Sequence, residues 1–252
     1  MRILCTVCGR AGSKGIKNKN IREFNGIPLV YYTLAAHELF SEDDPTIDTV
    51  LALNTDSPEL VEQIRRSGVN TVFIEREKHL AGDTVAKIDV IKDTLYKAEE
   101  ITGDVFDYVI DMDITSPIRS REDIGNVLSK LIDDDSYDVA FSVTDARRNP
   151  HFNMVHKIEN GGYSPVLFKA ITTRQAAPVC YDMNASIYAY RTEFIREANN
   201  IFDGKCAISE MIDTGILDID NAGDFELMEH IYKYFIDNFE GIKSVSERAH
   251  NY

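Results

Sequence analysis

The sequence has few positive charges and no long hydrophobic run. Its 27 lysines and arginines are outnumbered by 42 aspartates and glutamates, giving a formal net charge of −15. This acidic balance argues against nucleic acid or a membrane surface as a partner. No stretch approaches the roughly 20 apolar residues of a membrane span, and the short apolar run after Arg2 does not fit a signal peptide. We therefore expect a cytoplasmic protein.

Cysteine is also scarce, with four residues scattered along the chain. Cys5 and Cys8 have the C-x-x-C spacing of some zinc sites and redox motifs. Both lie on or just beyond a predicted first strand, and no second C-x-x-C or Cys/His pair completes a metal site. We therefore reject the zinc and redox interpretations.

Apolar strand patterns alternate with helical patterns over most of the 252 residues. Mostly apolar strands separated by helices are typical of a mainly parallel sheet covered on both faces. The pattern predicts an α/β, doubly wound fold in a single domain covering residues 1–252. Strands are predicted at 3–7, 49–53, 71–74, 108–112, 139–143, 184–190 and 216–219, helices at 28–40, 58–66, 83–98, 120–131 and 224–239, and a loose tail at 243–252.

The regular alternation stops between Asp145 and Met183. Prolines and short alternating runs in this stretch predict an inserted β-rich arm. A lone hairpin could not bury the arm's apolar side chains, so we expect the same arm of a second copy to cover them in a twofold dimer. The alternative is that the arm folds back onto its own sheet. The apolar residues are Phe152, Met154, Val155, Tyr163, Val166, Leu167, Phe168 and Ile171.

The first predicted strand opens into a basic loop that contains three glycines. Its spacing, G-x-x-G-x-x-G, fits neither the P-loop nor the dinucleotide fingerprint. Glycines allow backbone N–H groups to approach an anion, and lysine and arginine supply charge. The loop therefore predicts a phosphate site, the alternative being a flexible basic surface loop. Its residues are Gly9, Arg10, Gly12, Ser13, Lys14, Gly15, Lys17, Lys19 and Asn20.

Polar residues follow the other predicted strands, at the edge where doubly wound sheets bind ligands. Asp218 and Asp220 stand two apart in the last predicted strand, which would place both carboxylates on one face. Two close carboxylates repel unless a cation lies between them. Oxygen ligands beside a phosphate site favour Mg²⁺. The alternative is a solvated turn at the end of a strand.

The loop resembles a family signature. Cys8-Gly9-Arg10-Ala11-Gly12-Ser13-Lys14-Gly15-Ile16 with Lys19-Asn20 is similar to the P-A-R-x-G-S-K-G-I-x-x-K-N motif of acylneuraminate cytidylyltransferases, with Cys-Gly in place of Pro-Ala. Further elements of that family follow in the same order. They are Arg76 with Leu80-Ala81 and Asp83-Thr84, then Asp113 to Arg119 (D-I-T-S-P-I-R), then Arg174-Gln175 with Asn184 and Tyr188, and Asp218-Ile219-Asp220.

This resemblance implies a Rossmann-like nucleotidyltransferase fold and a reaction between CTP and a nonulosonic acid. The anomeric hydroxyl of the sugar acid would attack the α-phosphorus, giving a CMP-sugar and pyrophosphate. It also implies a homodimer that brings part of the inserted arm to the partner's site.

Each candidate residue has an expected role. The catalytic set is Arg10, Lys19, Asp113, Asp218 and Asp220. The nucleotide-binding set is Arg10, Gly12, Ser13, Lys14, Lys19, Asn20, Arg76 and Thr84. The sugar-binding set is Asp113, Thr115, Ser116, Arg174, Gln175 and Tyr188. Arg174 suits the sugar carboxylate because guanidinium binds carboxylate through two hydrogen bonds. Asp113 would either activate the hydroxyl or bind a metal. Asp218 and Asp220 would hold Mg²⁺, for which Mn²⁺ can substitute.

One departure from the family pattern concerns the sugar. Sialic acid enzymes often have R-P-N-G where this chain has Asp182-Met183-Asn184-Ala185. Legionaminic acid is therefore at least as plausible a substrate as N-acetylneuraminic acid. Two other functions remain open. One is a related enzyme for 3-deoxy-octulosonate or for another nucleotide, and the other is a non-catalytic nucleotide-binding domain.

Overall fold

The structure is a computed structural model. It describes residues 1–12, 15–16, 18–82, 84–167, 171, 173–216 and 218–252, and the backbone but not the side chain of Arg174. The strands are β1 Arg2–Cys8, β2 Glu23–Phe24, β3 Ile27–Pro28, β4 Asp48–Thr55, β5 Val72–Glu75, β6 Tyr108–Met112, β7 Val139–Asp145, β8 Val155–Lys157, β9 Tyr163–Pro165, β10 Tyr181–Arg191 and β11 Cys206–Glu210. The α-helices are α1 Leu29–Asp43, α2 Pro58–Ser67, α3 Lys87–Thr102, α4 Arg121–Ile132, α5 Thr192–Glu197, α6 Ala222–Asn238 and α7 Glu240–Ala249.

Seven strands form one sheet in the order β11-β7-β10-β6-β1-β4-β5. All neighbours pair in parallel except β10, which is antiparallel to both β6 and β7. This confirms the predicted doubly wound, mainly parallel sheet. Because the parallel strands end at one edge, the loops after β1, β4, β5 and β6 lie close together there.

The sheet has an apolar layer on each face. Along β1, Ile3, Cys5 and Val7 belong to the larger core, which also includes side chains of α1, α4, α6 and α7. Leu4 points the opposite way, into a smaller core with side chains of α3 and α5. This alternation follows from the period-two geometry of a strand. Within the described residues, no helix combines the length and the apolar character needed to span a membrane.

Two predicted elements are wrong and one begins late. Residues 216 and 218–220 form no strand. Ile219 is the one buried residue among them, and its N–H donates to the carbonyl oxygen of Thr115 at 3.0 Å rather than to a neighbouring strand. The tail is helical, since α7 buries Ile242, Val245 and Ala249 on one face. Helix α3 begins at Lys87 rather than at 83, a residue outside the described part.

The inserted arm contains less β-structure than predicted. In its described residues the only strands besides the ends of β7 and β10 are β8 and β9, which pair as a hairpin of three residues on each side. Pro165 ends β9, and the prolines at 150 and 178 lie outside these strands. Proline is confined to strand ends and edge strands because it cannot donate to a ladder. Phe168, one of the apolar residues predicted for the arm, lies outside the described residues.

Burial of His37 gives folding a pH dependence. The His37 ring is buried in α1, and Nε2 lies 3.1 Å from the Thr49 hydroxyl. Burial lowers the pKa of this imidazole to about 4 from 6.5. Between these values the unfolded chain binds a proton that the folded chain does not, so stability falls as pH falls. We expect the loss from pH 7 to pH 4 to include about 3 kcal/mol from this group.

Urea unfolding at several pH values measures this contribution. His37→Gln should flatten the pH dependence relative to the native chain, and His156→Gln, which changes an exposed histidine of β8, should not. An unchanged slope in His37→Gln would show that the proton uptake arises elsewhere.

Candidate active site

The glycine-rich loop after β1 is fixed to the end of β4. Asp56 accepts a hydrogen bond from the backbone N–H of Ala11 at 2.6 Å, and Asn20 donates through Nδ2 to the carbonyl oxygen of Arg10 at 3.3 Å. Gly12 has a φ of 71°, which favours glycine. Ser13 and Lys14, both predicted to bind nucleotide, lie outside the described residues. These two hydrogen bonds therefore fix the described part of the loop beside the carboxyl edge of the sheet.

Lys19 joins this loop to the segment around Asp218 and Asp220. Its ammonium donates to the carbonyl oxygen of Ile219 at 2.6 Å and lies 3.8 Å from Oδ1 of Asp220. Gly15 passes so close that a Cβ built on it would overlap the carbonyl oxygen of Asp220. The prediction that Asp218 and Asp220 share a strand is wrong, but their segment does lie against the basic loop.

The surroundings of the Asp218 carboxyl disfavour its ionised form. Burial, followed by the negative charges of Asp220 and Asp113, raises its pKa to about 6, against the opposing effect of Lys19. Among the described residues no group of three or more His, Cys, Asp or Glu side chains could hold a metal by itself. Mg²⁺, however, commonly takes only one or two carboxylates from a protein and completes its shell with water and phosphate. Asp218 and Asp220 therefore fit a Mg²⁺ site that needs the substrate's phosphates.

Lys87, at the start of α3, forms the charged centre of the site. Its Nζ lies 2.7 Å from Oδ2 of Asp111 and 2.7 Å from Oδ2 of Asp113. Asp111 is fully buried, and its Oδ1 accepts a hydrogen bond from the Thr6 hydroxyl at 2.8 Å. Nζ also lies 5.9 Å from the centre of the Tyr188 ring.

Asp113 is held as an ionised acceptor. Its Oδ1 accepts hydrogen bonds from the backbone N–H and the hydroxyl of Thr115, at 2.9 and 2.7 Å. Burial acts to raise the pKa of Asp113, but the Lys87 ammonium and the Thr115 hydrogen bonds outweigh it and hold the pKa well below its usual range. A carboxylate with so low a pKa suits binding and orientation better than proton abstraction.

A cavity of about 280 Å³ lies over these groups and is the candidate nucleotide site. Arg10, Arg76, Lys87 and Asp113 contribute to its wall. Arg76 is fixed by Asn54, since its Nε and Nη2 donate to Oδ1 and the backbone carbonyl of that residue, both at 2.9 Å. Thr84, predicted to bind nucleotide, is exposed and does not line this cavity.

A second cavity, of about 220 Å³, lies on the other side of Lys87. Tyr188, predicted to bind sugar, lines it together with Tyr190, Asn199 and Asn200. The two tyrosine rings are stacked, with centroids 6.3 Å apart. Gln175 lies elsewhere, in a cavity of about 430 Å³ formed by the arm. The side chain of Arg174 is outside the described residues.

Two residues of the T-S-P-I-R element, Ser116 and Arg119, brace the loop after β6. Arg119 is buried and donates to the carbonyl oxygens of Ser186 and Asp113 and to the Thr33 hydroxyl, at 2.7, 2.9 and 2.7 Å. The Ser116 hydroxyl is buried and donates to the carbonyl oxygen of Asn184 at 3.3 Å. The sugar-binding roles predicted for Ser116 and Thr115 stay predictions.

Sequence reasoning missed Lys87 and Asp56. Lys87 was assigned to the interior of a helix predicted to begin at 83, where a lysine normally faces solvent. Asp56 is one of the polar residues that follow the second predicted strand, and nothing local distinguishes it from the others. The available signals were that Lys87 follows Asp83-Thr84 by three residues and that Asp56 directly follows Asn54-Thr55. Neither spacing identifies the residue that each side chain contacts.

A doubly wound sheet with a basic glycine-rich loop and facing carboxylates at its carboxyl edge is the arrangement of a nucleotide-dependent transferase. A model of the family described as "Cytidylyltransferase" matches residues 4–234, and the chain belongs to that family.

Three known proteins illustrate the similarity. Post-translational flagellin modification protein B of Campylobacter coli is 36% identical over 231 residues, which cover 92% of this chain and 95% of that protein. CMP-N,N'-diacetyllegionaminic acid synthase of Campylobacter jejuni is 36% identical over 229 residues, covering 91% and 94%. The solved structure of CMP:2-keto-3-deoxy-manno-octonic acid synthetase complexed with CTP covers 93% of this chain and 99% of that one, at a TM-score of 0.67 and 14% identity. This last similarity concerns the fold.

Proposed function

We propose that the chain transfers CMP from CTP to the anomeric hydroxyl of a nonulosonic acid and releases pyrophosphate. N,N'-diacetyllegionaminic acid is the sugar acid we expect, because it is the one named for a relative 36% identical over nearly the whole chain. A 3-deoxy-octulosonate substrate has weaker support, since the solved synthetase for that class shares only 14% identity.

One observation carries the proposal. Lys19 of the basic loop and the Asp218–Asp220 segment, 200 positions apart in sequence, meet through a hydrogen bond of 2.6 Å. Cations suited to a triphosphate thereby lie beside carboxylates suited to its metal. A nucleotide-binding module without catalysis would not need this pairing.

The residues present divide the work of phosphoryl transfer. Transfer needs the phosphate charge neutralised and the attacking oxygen held in line. Arg10 and Arg76 line the first cavity and can bind phosphate. Tyr188 lines the second, where the sugar acid would lie. Mg²⁺ on Asp218 and Asp220, or Mn²⁺ in its place, would neutralise charge on the phosphates.

The test is pyrophosphate release measured with each of the four NTPs against a panel of sugar acids. The panel contains N,N'-diacetyllegionaminic, pseudaminic, N-acetylneuraminic and 3-deoxy-octulosonic acids. We expect release with CTP alone and the highest kcat/KM with the legionaminic acid. Release that does not depend on any sugar acid would contradict the proposal.

We further propose a cytoplasmic enzyme, because CTP is a cytosolic metabolite and all four cysteines are free, as in reducing compartments.

We also propose a homodimer formed through the arm at 145–183. Several apolar side chains of the arm are exposed, among them Val155, Tyr163, Leu167 and Val179. Grouped apolar exposure of this kind is typical of an interaction surface. In the dimer, Gln175 would contribute to the partner's sugar site, which accords with its place in the arm's own cavity rather than in the two cavities around Lys87.

Two valines provide a matched test, because each is 77% exposed. Val179→Asp places a charge in the arm and is expected to give a monomer in sedimentation at micromolar concentration. Val105→Asp, before β6, should leave the dimer intact. A native chain that sediments as an active monomer would refute the dimer.

A further inference from the structure

We propose that Lys87, which lies between the nucleotide cavity and the sugar cavity, is a positioning residue of the transfer reaction that holds the Asp113 carboxylate in the wall of the nucleotide cavity. The inference rests on the proposed function, since it assigns a step to that same site.

Lys87 links a fixed carboxylate to one that faces the site. Asp111 is fully buried on β6 and tied to Thr6 of β1. Asp113 lies two residues further on, and its side chain is 23% exposed. The ammonium donates a hydrogen bond to Oδ2 of Asp113 at 2.7 Å and forms an ion pair with Oδ2 of Asp111 at the same distance. Asp113 is thus positioned through Lys87 by Asp111, a buried residue of the central strands.

Lys87 also stands where the two substrates must meet. Of the described side chains that line the two cavities, Lys87 alone is common to both. Arg10 and Arg76 lie on one side of it, and Tyr188 and Asn199 on the other. The bond between the α-phosphorus and the anomeric oxygen has to form at this boundary if each cavity takes one substrate.

Stability alone does not explain the arrangement. Burying an ion pair costs desolvation energy that its attraction often does not recover, and apolar replacements are frequently as stable. A lysine held between two carboxylates at the floor of an open cavity is more typical of a functional site. Oδ1 of Asp113 accepts two hydrogen bonds from Thr115 and Oδ2 accepts one from Lys87. One lone pair on Oδ2 is then left to accept a hydrogen bond from the sugar's hydroxyl.

This geometry makes Asp113 an orienting group. It accepts a hydrogen bond from the anomeric hydroxyl and directs the oxygen lone pair toward the α-phosphorus. As the new O–P bond forms, the bond between the α-phosphorus and the pyrophosphate oxygen breaks, and the hydroxyl proton passes to the departing pyrophosphate or to water rather than to Asp113. The low pKa of Asp113 agrees with this role. Loss of Lys87 would leave Asp113 free to turn, which should slow the chemical step while CTP still binds.

Steady-state kinetics on four variants test the assignment. Lys87→Met should lower kcat roughly 10²-fold, the scale expected for a misplaced reacting group, with KM for CTP within about threefold of the native value. Asp113→Asn should lower kcat at least as much. Lys87→Met/Asp113→Asn should be no slower than Asp113→Asn, because residues acting through one another are not additive. Arg196→Met removes a partly buried ion pair with Glu99 at the far end of α3 and should change kcat less than about twofold.

A fifth variant separates the functional role from a structural one. Lys87→Met/Asp111→Asn removes the fully buried Asp111 charge together with its partly exposed partner, so its Tm should recover toward the native value while kcat stays low. Recovery of kcat together with Tm would overturn the inference. Multiplicative effects of Lys87→Met and Asp113→Asn, or a change confined to KM for CTP, would also overturn it.

Failure of the proposed function gives a different result. A native enzyme that shows no sugar-dependent turnover would refute the proposed function, whereas an active native enzyme with an unimpaired Lys87→Met variant would refute this inference alone.

Discussion

Replacing Asp218 or Asp220 by asparagine is expected to abolish most activity at limiting Mg²⁺ without harming the fold. Each change keeps the shape of the side chain but removes a negative charge that a hard cation needs. We expect the apparent affinity for Mg²⁺ to fall at least roughly 10- to 100-fold. Burial and neighbouring carboxylates raise the pKa of Asp218 to about 6, which means that its negative charge destabilises the folded chain at neutral pH. Asp218→Asn removes that charge and should therefore not lower Tm in the absence of metal.

The measurement is pyrophosphate release as a function of Mg²⁺ concentration, with Tm determined on the same samples. Asp237→Asn, an exposed change in α6, is the control and should follow the native curve. Full activity of both single variants at limiting Mg²⁺ would place the metal elsewhere. A large loss of Tm would instead indicate a structural role.

Gly15→Ala is expected to reduce turnover on the order of 10²-fold, because a small displacement of catalytic groups has effects of this size. An added Cβ would overlap the backbone carbonyl of Asp220, and backbone cannot turn aside as a flexible side chain can. The basic loop and the Asp218–Asp220 segment would have to separate. The Lys19 contact that joins them would then be lost.

Gly125→Ala is the matched control for this substitution. Gly125 lies within α4, and a Cβ there would meet nothing within 4 Å. Alanine in a helix interior is favoured over glycine by roughly 0.5–1 kcal/mol, so this variant should be fully active and slightly more stable. Native kcat and KM in Gly15→Ala would show that the close approach is not required.

Local patterns in the sequence were sufficient for much of the sheet and its helices. The predicted strand at 108–112 matches β6 in both bounds. Ser57 caps α2 by accepting from the N–H of Leu60, and Gly68 ends it with a φ of 75°. These features depend on neighbouring residues, and therefore on chemistry that a single stretch of sequence contains.

Long-range contacts explain what sequence reasoning missed. Ile216 to Ile219 has the composition of a strand, but no neighbouring strand pairs with its described residues, and Ile219 is held by Thr115 instead. The polar tail is helical because α7 packs on the core, with Arg248 bound to Glu38 and Glu42 of α1. Neither partner is near in sequence.

In the candidate site too, local patterns were predictable and long-range contacts were not. The basic loop and the polar sheet edge were predictable, because parallel strands bring their carboxyl ends together. The roles of particular residues were not. Lys87 has no local feature that points to Asp111 and Asp113, and Arg119, within a motif of apparent binding residues, is buried and braces the loop after β6.

The most direct test of the central claim is ³¹P NMR of the native enzyme with CTP, Mg²⁺ and N,N'-diacetyllegionaminic acid. We predict that the triphosphate resonances decline while a phosphodiester resonance and that of pyrophosphate rise in equal amounts, and only when the sugar acid is present. Inorganic phosphate in place of pyrophosphate, or loss of CTP without the sugar acid, would contradict the account.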